Sequence, residues 1–310
     1  MNNKLHPHQK EELADLAVAA MRERGLEPEF PKPAIEQLKT IDGPSAEDGA
    51  GIVDMEGLLW CSIDNDDSRD LDQLTATEVL PDGSVRILVA IADVDTLVEK
   101  ETPIDRHAQI NTTSVYTSAR IFPMLPEKLS TDFTSLNPHE ERVATVTEMV
   151  FAPDGEMLRS HITRARVHNK AKLAYDAVAA WIDGHGPLPE AADRVPGMDE
   201  QIRTQDSVAQ QLRARRREHG SLEFQTFQPR AEFQGDQVVA IKQQVQNRAR
   251  QLIEEFMVAT NGVTARFLAG KRRAAIRRVV RSPERWARIA EVALERGTTL
   301  PPDPDSKALE

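Results

Sequence analysis

Cysteine is the scarcest residue of this 310-residue chain, with Cys61 as its only example. One thiol cannot form an internal disulfide or a cysteine-based zinc site, which excludes both. Long apolar runs are also missing: the longest, Arg86 to Val94, is strand-sized, whereas a membrane helix needs about 20 apolar residues. The polar start, MNNKLHPHQKEE, lacks the apolar stretch of a secretory signal. We therefore predict no membrane segment and a cytoplasmic location.

The net charge of −11 argues against a nucleic-acid partner, because phosphate binding relies on lysine and arginine side chains. The charge is unevenly distributed, however. From Gln246 to Arg281 there are nine basic residues against two acids, a local charge of +7, which leaves −18 for the remainder. This asymmetry is typical of a protein with a basic track for a polyanion and acidic sites for cations. A solvated helical face explains the basic stretch equally well, and charge alone leaves both interpretations open.

The first 45 residues predict a small helical module. Apolar residues recur at helical spacing from Gln9 to Arg24, and Gly25 stands where a helix C-terminal glycine is expected. A second short helix is predicted from Ala34 to Lys39, followed by the linker TIDGPSAEDGAG. We place a domain boundary near residue 45, giving domains 1–45 and 46–310. The first domain is either a nucleic-acid-binding helix-turn-helix-like module or a simple helical cap.

The remaining chain predicts strands followed by segregated helices. The runs GLLWCSID, LTATEVL and VRILVAIADV have strand character, and Asp82-Gly83 between the last two predicts a hairpin. A further strand pair is predicted within Leu222 to Ile241. Helical periodicity covers Ala171 to Ile182, Met198 to Arg217 and Arg248 to Leu268. This order indicates an α+β domain.

The most informative stretch is SIDNDDSRDLDQ, residues 62–73, directly after an apolar strand. So many carboxylates repel one another unless cations or arginines neutralise them, and hard oxygen ligands select Mg²⁺, Mn²⁺ or Ca²⁺. A calcium loop fits poorly, because Arg69 occupies the position of the turn-making glycine and Thr75 that of the bidentate glutamate. A merely solvated acidic loop is the remaining alternative.

IDNDDSRDLDQ resembles the aspartate motif of the RNase II/RNase R (RNB) family, which is D, five residues, D, one residue, D-D. Asp64, Asp70 and Asp72 match the first three acids, whereas Gln73 replaces the fourth. The resemblance continues in order through VAIADVDTLV, NTTSVYTSARIFPMLPEKLSTDFTSLNP, HGSLEF and RQLIEEFMVATN, over roughly residues 55 to 285. Together these motifs are far more specific than the aspartate cluster alone.

The resemblance implies an α+β RNB-type catalytic domain, incomplete at its C-terminus, after a small helical N-terminal module. Family members continue with further helices, an arginine-containing segment and usually an OB-fold. The implied activity is 3′ to 5′ hydrolysis of single-stranded RNA to nucleoside 5′-monophosphates. Mg²⁺, with Mn²⁺ as the other candidate ion, would be held by the catalytic residues Asp64, Asp70 and Asp72 and by Gln73. The neutral carbonyl of Gln73 predicts weaker binding of one ion.

The resemblance also implies the substrate contacts. Tyr116 and Phe224 match aromatic residues on either side of the 3′-terminal base, although Phe227 is close enough to Phe224 to confuse the match. Glu254, rather than its neighbour Glu255, is expected to face the terminal ribose, and the phosphate track is expected to include Arg248.

Neither an organic cofactor nor a membrane is expected as a partner. The scattered histidines and the absence of a G-x-S-x-G motif give no support to histidine or serine catalysis. The alternative is a catalytically impaired RNA-binding or regulatory protein that keeps the fold, which Gln73 favours and the intact aspartates oppose.

Overall fold

The computed structural model describes residues 9–47, 49, 51–221, 229–243, 246–276 and 285–309. The strands are β1 Ile52–Asp54, β2 Cys61–Asp64, β3 Gln73–Val79, β4 Val85–Ala92, β5 Val115–Tyr116, β6 Ile121–Phe122, β7 Glu141–Phe151, β8 Met157–His168, β9 Ala171–Ala174, β10 Pro229–Gln234 and β11 Gln237–Gln243. The helices are α1 Gln9–Glu23, α2 Lys32–Leu38, α3 Pro103–Asn111, α4 Tyr175–Ile182, α5 Glu190–Asp193, α6 Met198–Glu218, α7 Arg248–Gly270, α8 Trp286–Glu295 and α9 Ser306–Leu309.

A seven-stranded sheet in the order β1-β8-β7-β4-β3-β2-β9 forms the centre of the fold. Its inner pairs are antiparallel, while the two edge strands, β1 and β9, pair parallel with β8 and β2. On one face of the sheet, α4, α6 and α7 cover an apolar cluster that includes Ile63, Phe151 and Phe256. The predicted α+β class is confirmed.

Alternation along β3 shows how the sheet is covered on both faces. Leu74 and Ala76 are buried in a second apolar cluster with Trp60 and Leu136. Thr75, on the opposite face, donates its hydroxyl to Gln205 of α6 at 3.0 Å. Because successive strand residues point to opposite faces, β3 contacts both layers.

The predicted hairpin and long helices are confirmed. In the turn between β3 and β4, Leu80 N donates to Ser84 O at 2.8 Å. Gly83 there has φ +81°, a backbone conformation that favours glycine. The helices predicted for Met198 to Arg217 and Arg248 to Leu268 match α6 and α7.

Two predictions need correction. The helix predicted for Ala171 to Ile182 starts only at Tyr175, because residues 171–174 pair with β2 as strand β9. The strand pair around Gly235 is present but extends to Gln243, and residues 222–228 lie outside the described chain. The sequence prediction also omitted β7, β8 and α3.

The N-terminal helices pack on the rest of the chain. Ala34 of α2 is fully buried in a third apolar cluster with Ile104, Leu129 and Phe133. Gln9 of α1 accepts a hydrogen bond from Val238 N at 3.2 Å. A division near residue 45 therefore stays a proposal, and it would not separate two apolar cores. None of the helices in the described residues is long and apolar enough to cross a membrane.

We predict that Cys61 is unreactive in the native chain. The side chain is fully buried, and this burial raises the pKa of the thiol from 9.0 to about 12, against the lowering effect of hydrogen bonds with Thr75 and Gln201. Since only the thiolate is nucleophilic, a disulfide reagent at mildly alkaline pH should label Cys61 only after guanidinium unfolding. Rapid stoichiometric labelling of the folded chain would contradict this burial.

Candidate active site

The aspartate loop, residues 65–72, connects β2 to β3 at one end of the sheet. β2 is held on both sides, by β3 and by β9. Leu71 N donates to Ser135 Oγ at 3.0 Å, and that hydroxyl donates in turn to Arg69 O at 3.0 Å. The loop is therefore attached to a rigid element at its start and to a neighbouring segment near its end.

Side chains of the loop fix its first turn. Asp64 Oδ1 accepts hydrogen bonds from Asn65 N at 2.6 Å and from Ser68 Oγ at 2.9 Å. Lys172 of β9 donates its Nζ to the carbonyl oxygens of Ser68, at 2.7 Å, and Asp66, at 3.2 Å. Asp64 is half-buried as a result, while Asp66 is exposed.

Tyr116 lies next to the aspartate loop. Its hydroxyl donates to Asp70 Oδ2 at 2.5 Å, while the residue is 62% exposed. The pKa of Tyr116 is raised to about 12, first by partial burial of the hydroxyl and then by the hydrogen bond and negative charge of Asp70. Tyr116 thus stays protonated as a donor and presents an aromatic surface to solvent, both of which suit a ligand-contacting residue.

Asp72 feels the charge of both other motif aspartates. Asp72 is exposed to solvent, but the protein packed around its carboxylate still removes part of its hydration. This loss, followed by repulsion from Asp64 and then Asp70, raises the pKa of Asp72 to about 6. Asp72 thus feels two further carboxylates, while the predicted metal site of the three aspartates stays a prediction. Concentrated negative charge of this kind attracts a cation.

Gln73 is 5% exposed and starts β3. Its Nε2 donates to Ile63 O at 3.1 Å, while its buried Oε1 has no hydrogen-bond partner among the described residues. An orphaned buried acceptor adjacent to aspartates suits a metal ligand, and the donor set as a whole is composed of hard oxygens. In the described residues, however, no group of three or more His, Cys, Asp or Glu forms a ready-made metal cage. A cation would have to draw the like-charged carboxylates together.

Arg250 of α7 is the site residue that sequence reasoning missed. Its Nη2 donates to Asn65 Oδ1 at 2.8 Å, and its guanidinium lies 4.4 Å from the ring centroid of Tyr175. The pKa of Tyr175 is raised to about 12, by burial first and by the charge of Asp64 second, with Arg250 opposing the rise. Arg250 therefore supplies positive charge beside the carboxylates. The sequence signal was its place in the motif-bearing segment RARQLIEEF.

Glu254 and Arg250 are four residues apart, so both lie on the helix face next to the aspartate loop. Glu254 is exposed, and its Oε2 accepts a hydrogen bond from Gln246 at 2.9 Å. Glu255 is buried and pairs with Arg216 at 3.1 Å. This arrangement favours Glu254 over Glu255 as the residue that reaches a ligand.

The structure gives Arg248 a contact within the protein, and its predicted substrate role stays a prediction. Two residues along a helix correspond to a rotation of about 200°, so Arg248 points away from the face that carries Arg250. Its guanidinium makes a bidentate pair with the buried Asp206 of α6, with both N···O distances 2.8 Å. Arg248 is thus held at a helix–helix contact. Phe224, its neighbour Phe227 and residues 277–281 of the basic stretch lie outside the described residues.

Comparison with known proteins gives the family. The RNB domain family model matches residues 52–306. Ribonuclease R of Escherichia coli (strain K12) is 33% identical over 81% of this chain and 31% of its own length. Ribonuclease R of Vibrio parahaemolyticus is 29% identical over 93% of this chain and 35% of its own length.

A solved structure has the same fold. RNase R of Mycoplasma genitalium, in complex with ribose methylated single-stranded RNA, superimposes with a TM-score of 0.85 at 23% identity. It covers 96% of this chain, which in turn covers 47% of that chain. This chain spans about a third of the length of the two ribonucleases compared by sequence. It belongs to the RNB domain family, the RNase II/RNase R family that its motifs predicted.

Proposed function

We propose that this chain is the catalytic domain of a divalent-metal-dependent exoribonuclease that shortens single-stranded RNA from its 3′ end and releases nucleoside 5′-monophosphates. The observation that carries the proposal is the hydrogen bond from the exposed Tyr116 to Asp70, in the loop that follows Asp64 and ends at Asp72. A carboxylate site next to a stacking surface suits a phosphodiester that must be held without regard to base identity.

In this proposal Asp64, Asp70 and Asp72 hold Mg²⁺ or Mn²⁺, with Gln73 Oε1 as a weaker, neutral ligand. The bound ion would lower the pKa of a water molecule and neutralise phosphate charge. The hydrogen bond from Tyr116 orients Asp70, and the contact between Arg250 and Asn65 fixes the start of the loop.

The exposed side chains of Tyr116 and Glu254 are the proposed substrate contacts. The ring of Tyr116 is open to stack on a terminal base, which contributes about 1 to 3 kcal/mol per base in proteins that bind single strands. Glu254 can accept a hydrogen bond from a ribose 2′-hydroxyl, a contact that DNA cannot make. The RNA bound in the Mycoplasma genitalium structure supports RNA as the ligand class.

A direct assay tests the proposal. The chain is incubated with oligo(A) and Mg²⁺, with the label at the 5′ end in one sample and at the 3′ end in another. Progressive shortening of the 5′-labelled strand, with immediate release of labelled mononucleotide from the 3′-labelled strand, is expected. Internal fragments from both strands would show an endonuclease instead, and intact RNA at all Mg²⁺ concentrations would leave this chain without hydrolytic activity.

The second candidate is an RNA-binding protein that has kept the fold with impaired catalysis. The replacement of an anionic motif position by the neutral Gln73 favours it. Tight oligo(A) binding without shortening, at any Mg²⁺ or Mn²⁺ concentration, would select this candidate.

Tyr116→Ala is expected to change how the last nucleotides are held. Loss of one stacking contact of about 1 to 3 kcal/mol should weaken binding of short oligonucleotides and make the end products longer. Tyr116→Phe is the matched control, since it keeps the ring and removes only the hydrogen bond to Asp70. A wild-type product pattern in Tyr116→Ala, together with a large loss of thermal stability, would show that the ring is structural.

Gln73→Asp is expected to lower the Mg²⁺ concentration needed for half-maximal rate, because a carboxylate binds a hard cation better than an amide carbonyl does. In the rival arrangement, Asp66 or Asp67 supplies the missing charge. Asp66→Asn or Asp67→Asn would then raise the Mg²⁺ requirement while Gln73→Asp changed little. Rates measured against Mg²⁺ for the three variants separate these cases. An unchanged curve for Gln73→Asp and for both asparagine variants would place Gln73 outside the metal site.

A further inference from the structure

A recess at the edge of the sheet lies beside the aspartate loop but outside the candidate active site. It is formed by the start of the edge strand β9, the turn at Pro138 and His139, and the end of α5. Its remaining lining is apolar, and no acidic side chain lines it among the described residues. In a chain of net charge −11, a recess lined only by basic and apolar side chains is a candidate anion site. The basic lining residues are His139, His168, Lys170, Lys172 and Arg194.

The backbone under this basic recess is fixed before any ligand arrives. His139 has φ +63°, in the left-handed region, and its N–H donates to Asn169 O at 2.7 Å. Asn169 is buried, and its side chain donates to Leu136 O at 2.7 Å. Lys170 N donates to Trp60 O at 2.9 Å. The segments that carry both histidines and Lys170 are thus held together, which reduces the entropy lost when a ligand is bound.

The cations of the recess are available to an anion. Arg194 pairs with Glu190 one helical turn away, but both side chains are more than 70% exposed, and such surface pairs are weak. Within the described part of the chain, Lys170 and His168 make no ion pair with an acidic residue. A phosphate oxygen can therefore replace the Glu190 carboxylate on Arg194 and bind Lys170 together with it.

Lys172 connects the recess to the aspartate loop. It lines the recess and also donates to the carbonyl oxygens of Ser68 and Asp66. A lysine ammonium has three donors, so two can hold the loop while the third faces an anion. An anion in the recess would strengthen the position of Lys172 and, through it, the loop that bears the motif aspartates.

We propose that this basic recess binds a phosphate group, carried by a mononucleotide or by an RNA backbone, and that Lys172 transmits its occupancy to the aspartate loop. Lysine and arginine are the usual phosphate ligands of proteins, and the recess offers both on a fixed backbone. The proposal does not depend on hydrolysis by this chain, because binding can be measured without divalent metal.

The first test titrates the chain with inorganic phosphate in the presence of a chelator, which removes any metal-bound phosphate from consideration. Calorimetry should show one site, and the NMR ring signals of His139 and His168 should move. The double variant Lys170→Ala, Arg194→Ala should bind phosphate at least about tenfold more weakly, because two charge-assisted hydrogen bonds are lost.

The matched control is Lys100→Ala, Arg288→Ala. It removes the same charges from exposed positions elsewhere, and Arg288 has an exposed helical partner, Glu291, as Arg194 has Glu190. The control should bind like the unaltered chain. Equal weakening in both double variants, or no binding to the unaltered chain, would overturn the proposal. Circular dichroism of each variant checks its folding.

Two ligands distinguish the sources of the phosphate. If the site takes a mononucleotide, a nucleoside 5′-monophosphate should bind more tightly than inorganic phosphate and lose that affinity in the recess variant. If it takes an RNA backbone, then of the two ligands only a short oligonucleotide without terminal phosphates should bind the recess variant more weakly than the unaltered chain. Either result supports the phosphate site. The proposal is contradicted if both ligands bind the two chains equally well.

Hydrogen exchange tests the coupling to the loop. Saturating phosphate should slow exchange of the loop amides in the unaltered chain but not in Lys172→Met, which keeps the aliphatic stem and loses the ammonium. If phosphate leaves the exchange of the loop amides unchanged in the unaltered chain, the proposed role of Lys172 is contradicted. A negative result here leaves the RNA-shortening assay unaffected, so failure of this inference and failure of the proposed nuclease function remain distinguishable.

Discussion

Asp72→Asn is expected to lower the rate of RNA shortening by at least about a hundredfold, the scale seen when an enzyme loses one preorganised charge-stabilising group. The negative charges of Asp64 and Asp70 both raise the pKa of Asp72. The substitution nearly preserves its shape but removes the negative charge that would hold a cation. Single-turnover rates at saturating Mg²⁺, measured on labelled oligo(A), provide the measurement.

RNA affinity should remain nearly unchanged in this variant, since Tyr116 and Glu254 are untouched. The matched control is Asp42→Asn, which removes the same charge from an exposed position outside the aspartate loop. Near-normal turnover in Asp72→Asn would exclude the proposed metal role of Asp72. Equal losses in both variants would indicate a general effect of net charge instead of a specific ligand.

Arg248→Ala is expected to lower the free energy of unfolding by about 2 kcal/mol, because it leaves the buried carboxylate of Asp206 without its bidentate partner. RNA affinity should not change, since Arg248 points away from the aspartate loop. Denaturant unfolding followed by circular dichroism measures the first effect and filter binding the second.

Arg288→Ala serves as the stability control. Its pair with Glu291 is exposed on both sides, so the loss should stay below about 1 kcal/mol. Adding Asp206→Ala to Arg248→Ala should recover part of the lost stability, since the buried charge is then removed as well. Weaker RNA binding with unchanged stability in Arg248→Ala would return Arg248 to the phosphate track.

Local signals explain which elements the sequence predicted. The β3–β4 hairpin combines strand-forming runs with Asp82-Gly83, and α7 has clear helical periodicity. β7 lacks such a signal, because nearly all of its residues from Arg142 onward are buried or half-buried on both faces of the sheet, so apolar and polar residues do not alternate. β9 has the helix-favouring sequence AKLA and becomes a strand only through its pairing with β2.

The candidate site also contains residues that the sequence could predict and residues that it could not. Asp64, Asp70 and Asp72 are close in sequence and follow a strand, so their proximity could be predicted. Arg250 and Lys172 reach the loop from distant elements, and no local pattern reports such contacts. The pairing of Arg248 with Asp206 could not be predicted either, because a count of basic residues does not say which face of a helix each one occupies.

The position of β2 between β3 and β9 has a consequence for how the protein is made. Its two neighbours come from different parts of the chain, and Asn65 meets Arg250 across a separation of 185 residues. A ribosome delivers the chain from its N-terminus, so the aspartates emerge long before the residues that hold their loop in place. Long-range pairing of this kind slows folding. The aspartate loop can contact Tyr116, Ser135 and Lys172 earlier, but it completes its native contacts only after the start of α7 has left the exit tunnel.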